Sequence, residues 1–168
     1  SFFSHEYRLD YLIRVIKKPI ICWGSGIVMG GGLGLLSGCS HRLGTVSTKL
    51  AMPEITIGLF PDAGGTKFLA DLPDQLGWFL GLTGCHLTSR DALALGLLDI
   101  VVDEGKKEEI FDSVCNIEWA NDSSENLEKV SSVLKKFKVE AEDSSDLFDH
   151  RFEIASLIEA CLSAEDFL

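Results

Sequence analysis

Ala51-Met52-Pro53-Glu54-Ile55-Thr56-Ile57-Gly58-Leu59-Phe60-Pro61-Asp62-Ala63-Gly64-Gly65 carries two carboxylates, each set directly after a proline and each surrounded by apolar or glycine-rich sequence. A carboxylate in such a stretch has to be paired, protonated or functional if it is buried. Glu54 therefore reads either as a site acid or as a solvated loop acid. Asp62 reads either as a second site acid or as the Asx side chain of a turn. From Ile57 to Gly65 the glycine content is too high for regular structure, so the spacing predicts a loop.

Outward toward the N-terminus, the loop is preceded by two predicted strands, 42–46 and 49–52, a pair closed by Pro53-Glu54. Before them, Met29-Gly30-Gly31-Gly32-Leu33-Gly34-Leu35-Leu36 predicts a glycine turn feeding a helix that ends near Gly38. Successive glycines let backbone amides approach a ligand without a Cβ in the way, and a helix N-terminus favours negative charge, so one reading is an oxyanion site. The other is tight packing. Dinucleotide binding fits poorly, because Gly24-Ser25-Gly26 needs a further glycine where Met29 stands, and the G-K-[ST] ending of a phosphate loop is missing. Residues 20–23 predict a short buried strand. Ser4 predicts the cap of a helix through about residue 18, with Tyr7, Tyr11, Leu12, Val15 and Ile16 on one face, stopped by Pro19.

Outward toward the C-terminus, helices are predicted over 66–72 and 76–82, and Thr88-Ser89-Arg90-Asp91 resembles a capping box opening a helix over 92–96. A strand over 98–102 ends this region. Amphipathic helices over 106–116, 124–137 and 150–161 follow, joined by acidic, serine-bearing links such as 140–146. The expected fold class is thus α/β, with a core segment at 1–103 and an acidic helical extension at 104–168.

Charge supports that division. Residues 1–102 hold eight Lys/Arg and eight Asp/Glu, whereas 103–168 hold seven and eighteen, so the net charge of −11 comes from the final third. An acidic surface disfavours nucleic acid, and no apolar run approaches the ~20 residues that span a bilayer, which disfavours a membrane protein. The neutral first part can still take an anionic ligand. Five scattered cysteines (Cys22, Cys39, Cys85, Cys115 and Cys161) form no C-x-x-C pair, and are expected to be reduced, mostly core thiols of an intracellular protein. The opening residues look like neither a signal peptide nor an Arg-rich transit peptide.

Lys18-Pro19 before a strand, Met29-Gly30-Gly31-Gly32, Ala51-Met52-Pro53-Glu54, the Ile57–Gly65 stretch, and Leu82-Thr83-Gly84 through Ala94-Leu95-Gly96-Leu97 together resemble the crotonase superfamily. The Met-Pro-Glu and Gly-Leu-Phe-Pro-Asp segments, with Phe2-Phe3 and Glu6-Tyr7, look like its 3-hydroxyisobutyryl-CoA hydrolase branch. The resemblance implies a ββα spiral core, here partial, and hydrolysis of a short branched β-hydroxyacyl-CoA. It implies that the Gly31 amide holds the thioester oxygen, that Glu54 is the principal catalytic carboxylate, that Asp62 is a second acid beside the acyl group, and that Glu6 contacts substrate. Glu6 also reads as an acid complementing the dipole of its own helix. Gly34 stands where hydratases of the superfamily place their first glutamate, and glycine cannot transfer a proton, which favours hydrolysis over hydration. An enoyl-CoA hydratase or isomerase, and a non-catalytic acyl-CoA-binding subunit, are the rival readings. No metal or redox cofactor is implied, since coenzyme A is part of the substrate, and a homo-oligomer is compatible with the family. The implied location is the cytoplasm in a bacterium or the mitochondrial matrix in a eukaryote. The family's other oxyanion donor and further C-terminal helices are expected outside the 168 residues.

Overall fold

The computed structural model describes residues 2–140 and 146–163. After helix α1 (Phe2–Val15), the chain deals its strands alternately into two sheets: β1 (Ile21–Gly24), β2 (Ile27–Met29), helix α2 (Gly31–Gly38), β3 (His41–Thr45) and β4 (Lys49–Ala51). Helices α3 (Gly65–Ala70) and α4 (Leu76–Thr83), strand β5 (Leu87–Thr88), helix α5 (Ser89–Ala94) and strand β6 (Ile100–Val102) follow. In one sheet β1 pairs in parallel with β3 and β3 with β6; in the other β2 pairs in parallel with β4, and β4 antiparallel with β5.

The switch from one sheet to the other is built by a buried threonine. Thr48 Oγ1 accepts from the Thr45 amide at 2.7 Å and donates to the Gly24 carbonyl at 2.9 Å, so the turn after β3 is tied to the end of β1. β3 and β4 were expected as a pair and instead lie in different sheets, because this turn redirects the chain rather than folding it back. β2 and β5 are additions to the expected strands. At three and two residues they are too short, and too close to glycine or a capping box, to show an alternating pattern.

The larger core lies between the β2–β4–β5 sheet and the helices, where Leu33, Leu36, Leu50, Leu76 and Leu98 are almost fully buried. A second core, built on Leu43, Ile100 and Val102, takes Ile110 from α6 (Lys107–Cys115) and Val130 and Leu134 from α7 (Ser123–Leu134). His41 Nε2 lies 3.0 Å from Ser131 Oγ and 3.2 Å from the Leu127 carbonyl, which joins β3 to α7. Short helix α8 (Asp146–Asp149) brings Leu147 into the larger core, and α9 (Arg151–Ser163) packs along α4. The 140–146 link falls largely outside the described residues.

Thr88 and Asp91 form the expected capping box, but α5 begins at Ser89 rather than at 92. α1 already runs at Phe2, so Ser4 lies inside its first turn instead of capping it, and the helix ends before Lys18. No α1 residue is buried, so the face carrying Tyr7, Tyr11, Leu12 and Val15 stays open among the described residues. All five cysteines are free, but only Cys39 is buried. Cys22 and Cys85 are partly buried against the larger core, in keeping with the expectation of mostly core thiols, whereas Cys115 and Cys161 are exposed on amphipathic helices.

Candidate active site

Four segments converge where α2 begins. β4 ends at Ala51 and Pro53 starts a 3₁₀ turn, Glu54–Ile57, that places Glu54 next to the glycine turn. The Gly30 amide donates to the Ala51 carbonyl at 3.2 Å, and Gly30 has φ 54°, a backbone conformation that glycine adopts without strain. A Cβ at Gly30 would stand 2.9 Å from Glu54 Oε1, so the close approach of backbone and carboxylate also calls for glycine. As the first residue of α2, Gly31 has no intrahelical acceptor for its N–H. Glu6 of α1 completes this side: its Oε1 lies 2.5 Å from the place a Gly31 Cβ would take.

Glu54 is 9% exposed, and its Oε2 is enclosed with no hydrogen-bond partner. Burial raises its pKa above the usual glutamate range; its own backbone N–H opposes the shift and repulsion from Asp62 adds to it. The solvated-loop reading of this acid is thereby excluded. Asp62, half-buried in the loop before α3, accepts a hydrogen bond from the Tyr7 hydroxyl at Oδ2, 2.8 Å away. Its backbone turns, with Gly65 N–H donating to the Asp62 carbonyl at 2.5 Å, but the turn is closed by that carbonyl and not by the side chain of the Asx reading. Ala63 and Gly64, at φ 44° and 82°, are both in the left-handed region.

The loop is pressed onto α2 at Gly34. A Cβ there would meet the Ala63 carbonyl oxygen at 2.5 Å and the Ala63 Cβ at 2.6 Å. Position 34 therefore has no room for an acid, and the glycine is a packing residue that fixes the Asp62 loop.

Glu6, Gly31, Glu54 and Asp62, the four residues singled out by the family resemblance, thus lie near one another, and two further residues join them. Tyr7 is the first. The second is Asp10, whose two carboxylate oxygens are both enclosed without a partner. Its pKa is raised by burial, then by repulsion from Glu6 and from Asp62. The available signal was the spacing: Glu6 and Asp10 are like charges four residues apart on one helix face, an arrangement that weakens an isolated helix. Among the described residues no group of three or more His, Cys, Asp or Glu side chains is arranged to hold a metal ion.

Two cavities adjoin the Asp62 loop. One of about 580 Å³ is apolar and lined by Ile55, Leu59, Phe60, Pro61, Trp78 and Leu82 among others. The other, of about 700 Å³, is lined by Tyr7, Asp10, Gly34, Ala63 and Lys67 among others. No described helix is long and apolar enough to cross a membrane.

Known proteins resemble this chain in sequence and in fold. The family model described as enoyl-CoA hydratase/isomerase matches residues 1–167. Mitochondrial 3-hydroxyisobutyryl-CoA hydrolase from Gallus gallus is 38% identical over 161 residues, 95% of this chain and 41% of that protein. The Homo sapiens enzyme of the same name is 36% identical over 163 residues, 97% of this chain and 41% of its own length. The chain thus spans about two fifths of the curated relatives it matches. Among solved structures, a carnitinyl-CoA dehydratase from Mycobacterium thermoresistibile superposes with a TM-score of 0.77 at 34% identity, over 98% of this chain and 44% of that one. An enoyl-CoA hydratase from Rhodobacter sphaeroides gives 0.76 at 31%, over 98% and 46%. With strands dealt into two sheets, a glycine turn facing a buried glutamate, and a family model matched over 167 of its residues, the chain belongs to the enoyl-CoA hydratase/isomerase family, the crotonase superfamily, of which it forms a partial domain.

Proposed function

We propose that the polypeptide containing this chain hydrolyses the coenzyme A thioester of a short, branched β-hydroxy acid, the activity named for the curated relatives. The observation that supports this reading over hydration is the filled space at Gly34. Adding water across a double bond needs positioned acid–base groups at both carbons, and α2 has no room for a carboxylate at that position. Thioester hydrolysis needs one nucleophile or activated water and a place for the oxyanion.

In this reading the Gly31 N–H donates to the thioester oxygen as it gains negative charge. Glu54, enclosed and without a partner on Oε2, supplies the nucleophile directly or by taking a proton from water. The C–S bond breaks, the thiolate leaves as coenzyme A and is protonated, and the acid departs with the oxygen from water. Asp62 orients the acyl hydroxyl or assists the proton transfer, and Glu6 borders the bound acyl group. The chemistry calls for no metal or redox cofactor. A matrix location in a eukaryote, or a cytoplasmic one in a bacterium, belongs to the same proposal, and cell fractionation tests it.

The full-length polypeptide, given a panel of acyl-CoA thioesters with free thiol as the readout, should release coenzyme A from 3-hydroxyisobutyryl-CoA far faster than it hydrates crotonyl-CoA. Hydration equal to or faster than thiol release would replace the hydrolase reading with a hydratase one.

A further inference from the structure

We propose that Tyr7 is a positioning residue whose hydroxyl holds Asp62 in the orientation that recognises a hydroxyl group on the bound acyl chain, so that it sets the preference for hydroxylated over unsubstituted acyl groups. The inference rests on the hydrolase reading for its substrate and on the observed contact for its mechanism.

The Asp62 backbone is already fixed. Pro61 precedes it, the left-handed Ala63 and Gly64 follow, its carbonyl accepts from Gly65, and Ala63 is pressed onto Gly34. What remains free is the carboxylate's rotation about its side-chain bonds. The Tyr7 hydroxyl donates to Oδ2 at 2.8 Å and removes that freedom. A carboxylate accepts at both oxygens, so with Oδ2 occupied, Oδ1 is left as the acceptor for a ligand hydroxyl in a defined direction. Hydrogen bonds to an ionised acceptor are the stronger kind, and Asp62 correspondingly pushes the Tyr7 phenol above its ordinary pKa, mainly through this bond. Tyr7 also stands next to Glu6 in sequence, so α1 presents a residue bordering Gly31 and a residue holding Asp62 from one turn of helix.

The test uses the full-length polypeptide with Tyr7→Phe, Asp62→Asn and the double variant. One arm measures kcat/KM for 3-hydroxyisobutyryl-CoA and isobutyryl-CoA. The other measures dissociation constants for the corresponding non-hydrolysable thioether analogues, hydroxylated and unsubstituted. The wild type should prefer the hydroxylated partner in both arms, and Tyr7→Phe should cut that preference by ~10-fold, the scale of one hydrogen bond to a charged group. Asp62→Asn should remove it, and adding Tyr7→Phe should then change nothing further, the coupling expected of two groups acting as one. An equal loss on both acyl groups, an unchanged preference, additive effects in the double variant, or no preference in the wild type would each overturn the proposal. If no thioester is hydrolysed, the hydrolase reading falls, and the analogue arm still decides the role of Tyr7.

Discussion

At the scale of single residues, the enclosed carboxyl of Glu54 would, under the proposed mechanism, link activity to stability with opposite signs. Its pKa is raised in the folded protein, chiefly by burial, so the native state holds its proton more tightly than the unfolded chain does. Stability from this group therefore falls as pH rises from the ordinary glutamate pKa through the raised one. Under the proposed mechanism, catalysis by the ionised form would gain over the same window. The acid limb of kcat/KM in the full-length polypeptide should lie above the ordinary glutamate value of ~4.3. Glu54→Gln should lower kcat by at least ~100-fold, the scale of a positioned acid or base, while the melting temperature at pH 8 does not fall. A variant that turns over normally would remove Glu54 from the chemistry. Glu54 and Asp62 were legible in the sequence because each interrupts an apolar or glycine-rich run. The partnership of Glu6 with Gly31 was not, since its 25-residue separation carries no periodic signal, and it came from family resemblance alone. Tyr7 passed as one residue of an apolar face, because spacing assigns a side chain to a face and says nothing of where its hydroxyl reaches.

At the scale of elements, α2 and the Asp62 loop act as one unit through Gly34. Substituting Gly34→Glu places a side chain where the Ala63 carbonyl already sits, and the backbone there cannot swing aside as a flexible side chain would. The full-length variant should lose ~1–3 kcal/mol of stability, the usual cost of overpacking, and most of its thiol release. It should gain no hydration of crotonyl-CoA despite carrying the acid at the position hydratases use. Denaturant melts and the two activity assays check both halves, and a hydratase-active variant would show that the loop yields. Helices α1, α4, α6, α7 and α9 were visible as apolar periodicity, within a few residues at each end, and α2 as a helix fed by a glycine turn. The redirection at Thr45–Thr48 was invisible, because the hydroxyl that builds it bonds to Gly24, in a different segment of the chain.

At the scale of the whole molecule, large apolar side chains stand in the open, among them Phe2, Phe3 and Tyr11 on α1, and Phe60, Trp78 and Leu82 beside the apolar cavity. The acidic excess that would oppose association is carried by residues 103–168. Residues 1–168 expressed alone should therefore self-associate; a monodisperse monomer by light scattering would refute this. The alternate dealing of strands has a further consequence, for assembly on the ribosome. Leu43 pairs with Trp23 and with Ile100, and Leu50 with Val28 and Leu87, so each middle strand waits for a last partner made 57 or 37 residues later. Because the late partners, β5 and β6, are translated in succession after α4, the two described sheets gain their third strands almost together. Synthesis up to Thr83 leaves a bare edge on both β3 and β4, a stage at which a nascent chain is most open to pairing with a neighbour. Such non-local pairing is also slow to form, so the window between translation of β4 and of β6 is where a holding chaperone would matter most for this polypeptide.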